Sequence, residues 1–357
     1  MNKTSLYEEH LALNAKMVDF AGWQMPIQYA NVKQEVQAVR NKVGIFDVSH
    51  MGEFYISGPE ALQYIDSLVP NDIANAKTGK AIYSPLCRHD GTIIDDLIIY
   101  KTAEDKILVC VNGANIDKDY KWFQEHLGNF NCKLENQSDN TSLIAVQGPQ
   151  AFSVLQKIDL GFKLTDMDYY AFQVESIQDF DIVVARTGYT GEDGFEIFGS
   201  HEYIKKIWSE LIKHDAEPCG LAARDVLRLE VCFPLYGNEL NDDVTPLDSA
   251  LKWTVKMNKP HFIGKEALTN YEPKFQLIKL MLDKGIPRSG YPVENDQGQE
   301  IGSITSGTMS VSLSKGIAIA RVDKKLYQSG QEVLVNIRGK KYTTQVLKKP
   351  FLTGGHK

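Results

Sequence analysis

Cysteine is scarce in this 357-residue chain, and what there is does not pair up. The five cysteines, Cys87, Cys110, Cys132, Cys219 and Cys232, are odd in number and contain no C-x-x-C pair. A disulfide framework or structural zinc site is therefore not expected, and a reducing compartment fits. Cys110 lies in the apolar run Ile107-Leu108-Val109-Cys110-Val111 and reads as a small buried residue. No stretch approaches the roughly 18 apolar residues of a membrane helix, so no membrane contact is expected. The first ten residues lack an apolar h-region and carry Glu8 and Glu9, which argues against a targeting signal. The chain is read as cytoplasmic, with a processed mitochondrial matrix protein as the other reading.

Basic blocks are missing too. The formal net charge is −7, so nucleic acid is not expected as a partner. There is no P-loop, no G-x-S-x-G elbow and no H-E-x-x-H, and no G-x-G-x-x-G follows a predicted strand. The eight histidines are scattered without metal-ligand spacing, so no metal is expected. His50 alone stands in a motif-like context and reads as structural. The remaining composition, 43% hydrophobic and 24% charged, is that of an ordinary globular protein, and the length suggests two or three domains.

What is present is glycine at regular spacing. Arg186-Thr187-Gly188-Tyr189-Thr190-Gly191-Glu192-Asp193-Gly194-Phe195-Glu196 has glycine at every third position, with polar, acidic and aromatic residues between. Apolar runs lead in (181–185) and out (195–198). The pattern reads as strand, structured loop, strand, with the loop lining a site. An ordinary Gly-rich hairpin is the plainer alternative.

Valines at 32, 36, 39 and 43 predict a helix over 31–43. Strand 54–56 leads through Gly58-Pro59-Glu60-Ala61 into a second helix. The same strand–Gly-Pro-x-Ala–helix unit recurs at Leu143 to Phe152. Either Gly-Pro is simply a good helix entrance, or the chain carries two related α+β lobes. Between them, 93–100 and 107–112 predict a hairpin, and 115–127 a helix. Further helices are predicted over 203–213 and 220–232. From about Phe275, short β-branched runs at 301–305, 316–320, 333–337 and 342–346 alternate with turns and predict an all-β barrel.

Two features could carry chemistry. Asp95-Asp96 sits in the otherwise apolar or aromatic run Ile93 to Tyr100, and strand alternation lets only one acid face a given site. Arg224 and Arg228 share a helical face. They suit either a carboxylate-bearing ligand or a salt-bridge ladder with Asp225 or Glu230.

These segments resemble the aminomethyltransferase family, the T protein of the glycine cleavage system. The likeness runs through Lys16-Met17-Val18-Asp19-Phe20-Ala21-Gly22-Trp23, residues 44–53, Ile94-Asp95-Asp96-Leu97, residues 186–196 and Gly220-Leu221-Ala222-Ala223-Arg224-Asp225. It continues in Leu229-Glu230, Leu235-Tyr236-Gly237, Phe262-Ile263-Gly264-Lys265-Glu266-Ala267-Leu268 and Thr305-Ser306-Gly307. The resemblance implies an α+β fold in a three-domain cloverleaf. Two folate-binding lobes (residues 1–274) would surround a central channel, with a β-barrel domain over 275–357. It implies transfer of the aminomethyl carbon from the dihydrolipoyl arm of H protein to the cosubstrate tetrahydrofolate. Ammonia is released and 5,10-methylenetetrahydrofolate forms. The P and L proteins of the same system are then indirect partners. Asp96 matches the family's catalytic aspartate, Glu196 its pterin-binding acid and Arg224 its folate-binding arginine. Tyr83, Met51, Asn112, Tyr189 and Trp253 fall at pocket-lining positions. After Pro350-Phe351 the family often carries an aromatic or basic folate contact, where this chain reads Leu352-Thr353-Gly354-Gly355-His356-Lys357. The alternatives are a folate-dependent demethylation module, which normally carries a fused flavin domain, and a non-catalytic folate-binding protein of iron–sulfur maintenance. The latter carries a K-G-C-Y-x-G-Q motif, and the glycines at 188, 191 and 194 and the retained Asp96 argue against it.

Overall fold

Two strands that each end at Gly-Pro set the plan of the first two-thirds of the chain. The computed structural model describes residues 1–177 and 180–355. Gly58 and Gly148 both hold a left-handed φ, +130° and +131°, at the same place in their units. A Cβ there would strike backbone carbonyls, Asn131 O at 2.8 Å and Lys42 O at 2.4 Å, so only glycine permits the turn.

Beyond the turn, the two units share one element order. Strand Gly52–Ser57 leads to helix Ala61–Leu68, then to a meander of Ala81–Cys87, Ile93–Ala103 and Lys106–Val111, then to helix Ile116–Glu125. Strand Thr141–Gln147 leads to helix Ala151–Leu155, the meander Phe172–Ile177, Phe180–Ala185 and Gly194–Ser200, and helix His201–Lys213. In each, the last meander strand returns antiparallel to the first strand of the unit. The Gly-Pro repeat thus marks two related lobes and not merely two helix entrances. Strand Lys133–Asn136 completes a five-stranded sheet, and Gly44–Asp47 and Glu217–Pro218 complete a six-stranded one.

The helices cover the outer faces. Tyr64, Ile65, Leu68 and Phe123 pack on Phe54, Ile56 and Val109. Ile204, Ile207, Trp208 and Leu211 pack on Ile144, Val184 and Ile197 of the other lobe. Strand alternation turns the opposite faces toward each other, where Tyr100, Leu108 and Cys110 meet Leu143, Ala145, Val183 and Phe198. Tyr100 meets Phe198 edge to face at 5.2 Å. Helix Val32–Asn41 begins where Asn31 accepts from Gln34 N (2.9 Å), and it packs in this seam with helix Leu221–Glu230.

The C-terminal unit is a closed antiparallel six-stranded barrel. The predicted runs become Glu300–Met309, Gly316–Asp323, Glu332–Ile337 and Lys340–Leu347. Phe275–Leu282 and the short Pro292–Glu294 close it. Ile278, Leu280, Val293, Ile304, Ala320 and Val335 fill its interior. On its outside, Ile317 and Ile319 pack on Leu229 of helix Leu221–Glu230, which ties barrel to lobes.

Candidate active site

A cavity of about 380 Å³ opens where the two sheets, residues 232–253 and the barrel meet. That is a size suited to a small molecule. Met51, Tyr83, Asp96, Asn112, Tyr189, Glu196, Arg224 and Trp253 all line it.

Asp95 and Asp96 part company as strand alternation requires. Asp95 is fully buried and turns away from the cavity. It accepts from Asn112 N (3.0 Å), Asn112 Nδ2 (2.8 Å) and Asn115 Nδ2 (2.7 Å). Asp96 faces the cavity and accepts from the Tyr83 hydroxyl (3.0 Å) and Asn112 Nδ2 (2.9 Å). Burial, and then the charge on Asp95, push its pKa up to about 7 against the pull of those two bonds. Tyr83 is held in turn by a stacked Trp253, whose rings lie 5.9 Å apart. Trp253 is nevertheless 59% exposed, so it forms the lip of the cavity.

Across the cavity stands Glu196, on strand Gly194–Ser200, only 8% exposed. One oxygen accepts from Thr187 Oγ1 at 2.6 Å. Burial raises its pKa, opposed by the Thr187 bond and the Arg224 charge. Arg224 lies with its guanidinium 4.4 Å from the centre of the Tyr189 ring. Among the described residues it is bonded by no carboxylate or carbonyl. The Tyr189 hydroxyl donates to Pro234 O and its ring stacks on Phe233 at 5.9 Å, which fixes the ring beneath the cation. A buried acid, a free guanidinium and aromatic walls can together seat a planar heterocycle with N–H donors and an anionic substituent.

The Gly-rich loop does line the site, as its sequence predicts. It runs from strand Phe180–Ala185 to strand Gly194–Ser200, which pair antiparallel. Gln147 is its anchor. Its Nε2 donates to Thr187 O (3.1 Å) and its Oε1 accepts from Thr190 Oγ1 (2.9 Å). A Cβ at Gly188 would sit 2.0 Å from Gln147 Oε1, so glycine is required for this fit. Arg186 and Asp193 brace the loop ends with two 2.8 Å bonds.

Both the lobes and the barrel have counterparts in known proteins. Residues 6–259 match the GCVT N-terminal domain, and residues 276–352 the glycine cleavage T-protein C-terminal barrel domain. The chain belongs to the glycine cleavage T-protein family. An aminomethyltransferase of Thermosipho melanesiensis is 45% identical, over 100% of this chain and 99% of that one. One of Thermotoga maritima is 46% identical, over 99% and 98%. A crystal structure of the glycine cleavage system aminomethyltransferase T from Bartonella henselae superposes with a TM-score of 0.93 at 33% identity, over 99% of both chains.

The other residues singled out in the sequence meet different fates in the fold. Arg228 does not share the fate of Arg224. It is 1% exposed and forms ion pairs with Asp225 (2.7 Å) and Glu239 (2.9 Å), and it also donates to Ser306 Oγ. Glu230, the other expected partner, instead binds Arg40 at 2.7 Å, with Ser310 and Ser312 of the barrel side. His50 is buried and neutral, its pKa lowered to about 4 by burial and then by the Arg224 charge. Cys110 is buried as expected but also lines the cavity, its thiol pushed up by burial.

Other lining residues escaped sequence reading. Tyr170, Phe233 and Tyr236 come from irregular segments without periodicity, and Lys279 and Ile319 from the barrel wall. Alternation along Phe275–Leu282 carries the only signal, since Ile278 and Leu280 point into the barrel and Leu277 and Lys279 toward the lobes. The tail is fixed as far as Gly355. Leu352 N donates to Glu230 O (2.8 Å) and Gly355 N to Gly191 O (2.7 Å). The tail positions His356 and Lys357 lie outside the described residues.

Proposed function

We propose that this chain is an aminomethyltransferase that moves the aminomethyl carbon from the dihydrolipoyl arm of H protein to tetrahydrofolate. Ammonia leaves and 5,10-methylenetetrahydrofolate forms. The observation that carries this reading is Asp96. It is a carboxyl group facing the cavity, held through both oxygens and tuned by burial and Asp95 to ionise near neutrality.

Tetrahydrofolate fits the residues present. Its pterin has an N–H edge like that of guanine, and the Glu196 carboxylate can accept from such an edge. Its carboxylate-bearing end calls for a cation, and the Arg224 guanidinium has donors to spare. Met51, Tyr83, Tyr189 and Trp253 supply apolar and aromatic walls. When bound, tetrahydrofolate supplies the amine nitrogens that accept the carbon. The chain's own part is positional and electrostatic. Asn112 and Tyr83 fix Asp96, whose anion stabilises positive charge and takes up a proton at its free lone pairs. Trp253, exposed at the lip, stacks on Tyr83 and so steadies the hydroxyl that donates to Asp96.

The carrier of the arm is a separate protein, with P and L proteins acting elsewhere in the same cycle. The bacterial relatives fit a cytoplasmic enzyme. The decisive assay supplies aminomethylated, lipoylated H protein and tetrahydrofolate and measures methylenetetrahydrofolate and ammonia. Stoichiometric release of both is expected. Folate binding without turnover would sink the reading in favour of a binding protein, and turnover only with dimethylglycine or sarcosine would favour a demethylation module.

A further inference from the structure

Asp119 is a buried carboxyl group outside the cavity and without a donor. It lies on helix Ile116–Glu125 and is fully buried, and among the described residues neither oxygen meets an N–H or O–H donor. Such a group is costly as an anion. Asn115 stands four residues before it on the same helical face, and its side chain reaches Asp95 at 2.7 Å. Asp119 lies there too, within hydrogen-bond reach of Asp95. Two facing carboxyls bond only if one of them keeps its proton.

Which one keeps it is decided by the donors. Asp95 accepts three N–H bonds, from Asn112 and Asn115, and Asp119 accepts none. The anion belongs on Asp95 and the proton on Asp119. Burial and the Asp95 charge raise the Asp119 pKa far above the carboxylate range, and Lys118 only partly offsets this. Asp95 has further neighbours in Cys110 and Tyr236. Asp96 has Tyr83 bonded to it, and Tyr170 and Tyr189 among its neighbours. These hydroxyls and this thiol all have raised pKa values and stay neutral.

We infer that Asp119 is a positioning residue that acts on Asp96 at second hand. As a neutral acid it donates to Asp95, keeps Asp95 anionic, and through that charge and the shared Asn112 amide keeps Asp96 poised to take up a proton. The inference rests on the role of Asp96 proposed above, but its test does not need turnover. Asp96 ionisation is read by infrared difference spectroscopy, each protein against its own Asp96→Asn counterpart, as pH is varied.

In Asp119→Ala the bond that stabilises the Asp95 anion is lost, Asp95 takes a proton from solvent more readily, and with that charge diminished Asp96 ionises about one pH unit lower, the size of one lost neighbour interaction. In Asp119→Asn the amide still donates, and the midpoint stays where the natural chain has it. A protonated-carboxyl band present in the natural chain at pH 8 is also lost in Asp119→Asn, which reports Asp119 itself even if Asp119→Ala fails to fold. Absence of that loss, or equal midpoints in Asp119→Ala and the natural chain, overturns the inference. If the midpoints move as expected while no aminomethyl transfer occurs, the proton arrangement stands and the proposed function falls.

Discussion

The guanidinium of Arg224 lies against Tyr189, 4.4 Å from the ring centre. This contact holds a cation at the cavity wall without neutralising it, because the ring faces it with π electrons and not with a carboxylate. Glu196 stands near enough to feel the charge but accepts its hydrogen bond from Thr187.

Binding should depend on both. Arg224→Ala and Glu196→Gln are each expected to weaken tetrahydrofolate by about 1.5–3 kcal/mol, roughly one to two decades in Kd. Calorimetry on folded variants decides this, and unchanged affinities would remove both residues from the ligand.

Asp96→Asn should leave folate affinity largely intact and lose most turnover, since the amide keeps the shape but not the charge. Asp95→Asn should lose less turnover and more stability, about 1–3 kcal/mol, because the donors of Asn112 and Asn115 then meet an amide nitrogen. Steady-state kinetics and thermal melts on the pair separate the two; the reverse pattern would exchange their roles.

The pH profile should reflect the raised pKa of Asp96. The carboxyl is protonated below about 7 and ionised above it, so kcat should rise with pH through a midpoint near that value. Removing the neighbouring charge in Asp95→Asn should move this limb toward acid. A limb that stays in place would mean that another group controls it.

Glu53 gives a stability prediction. It is fully buried, both its oxygens lack partners among the described residues, and burial raises its pKa well above the ordinary value. The folded state therefore holds a proton that the unfolded state releases. Stability from this source is complete below the ordinary carboxyl range and is lost as pH rises toward and through the raised value. Glu53→Met should raise Tm at pH 9 more than at pH 5. Equal shifts at both pH values would show that the carboxyl is not protonated.

Carrier docking should matter as well. If the arm is delivered through a protein surface, aminomethylated H protein should give a much higher kcat/KM than free aminomethyl-lipoamide at equal concentration. Equal efficiency would mean that docking contributes nothing.

Much of this was legible in the residues themselves. Helical spacing located helix His201–Lys213, the Gly-Pro repeat offered two related lobes as one of two readings, and alternation separated Asp95 from Asp96. These are local properties, set by backbone geometry within a few residues. Tertiary structure alone decided what local pattern leaves open. Arg224 and Arg228 share a helical face, yet one reaches the cavity and the other is drawn into Glu239 and Ser306, residues from other elements. Lys279 becomes part of the site only because the barrel docks on helix Leu221–Glu230. Asp119 looks like one more acid on an exposed helix until that helix packs and buries it against Asp95. The reason is the same in each case. Periodicity gives the direction of a side chain relative to its own element, while its burial, charge state and partner depend on which distant element closes over it.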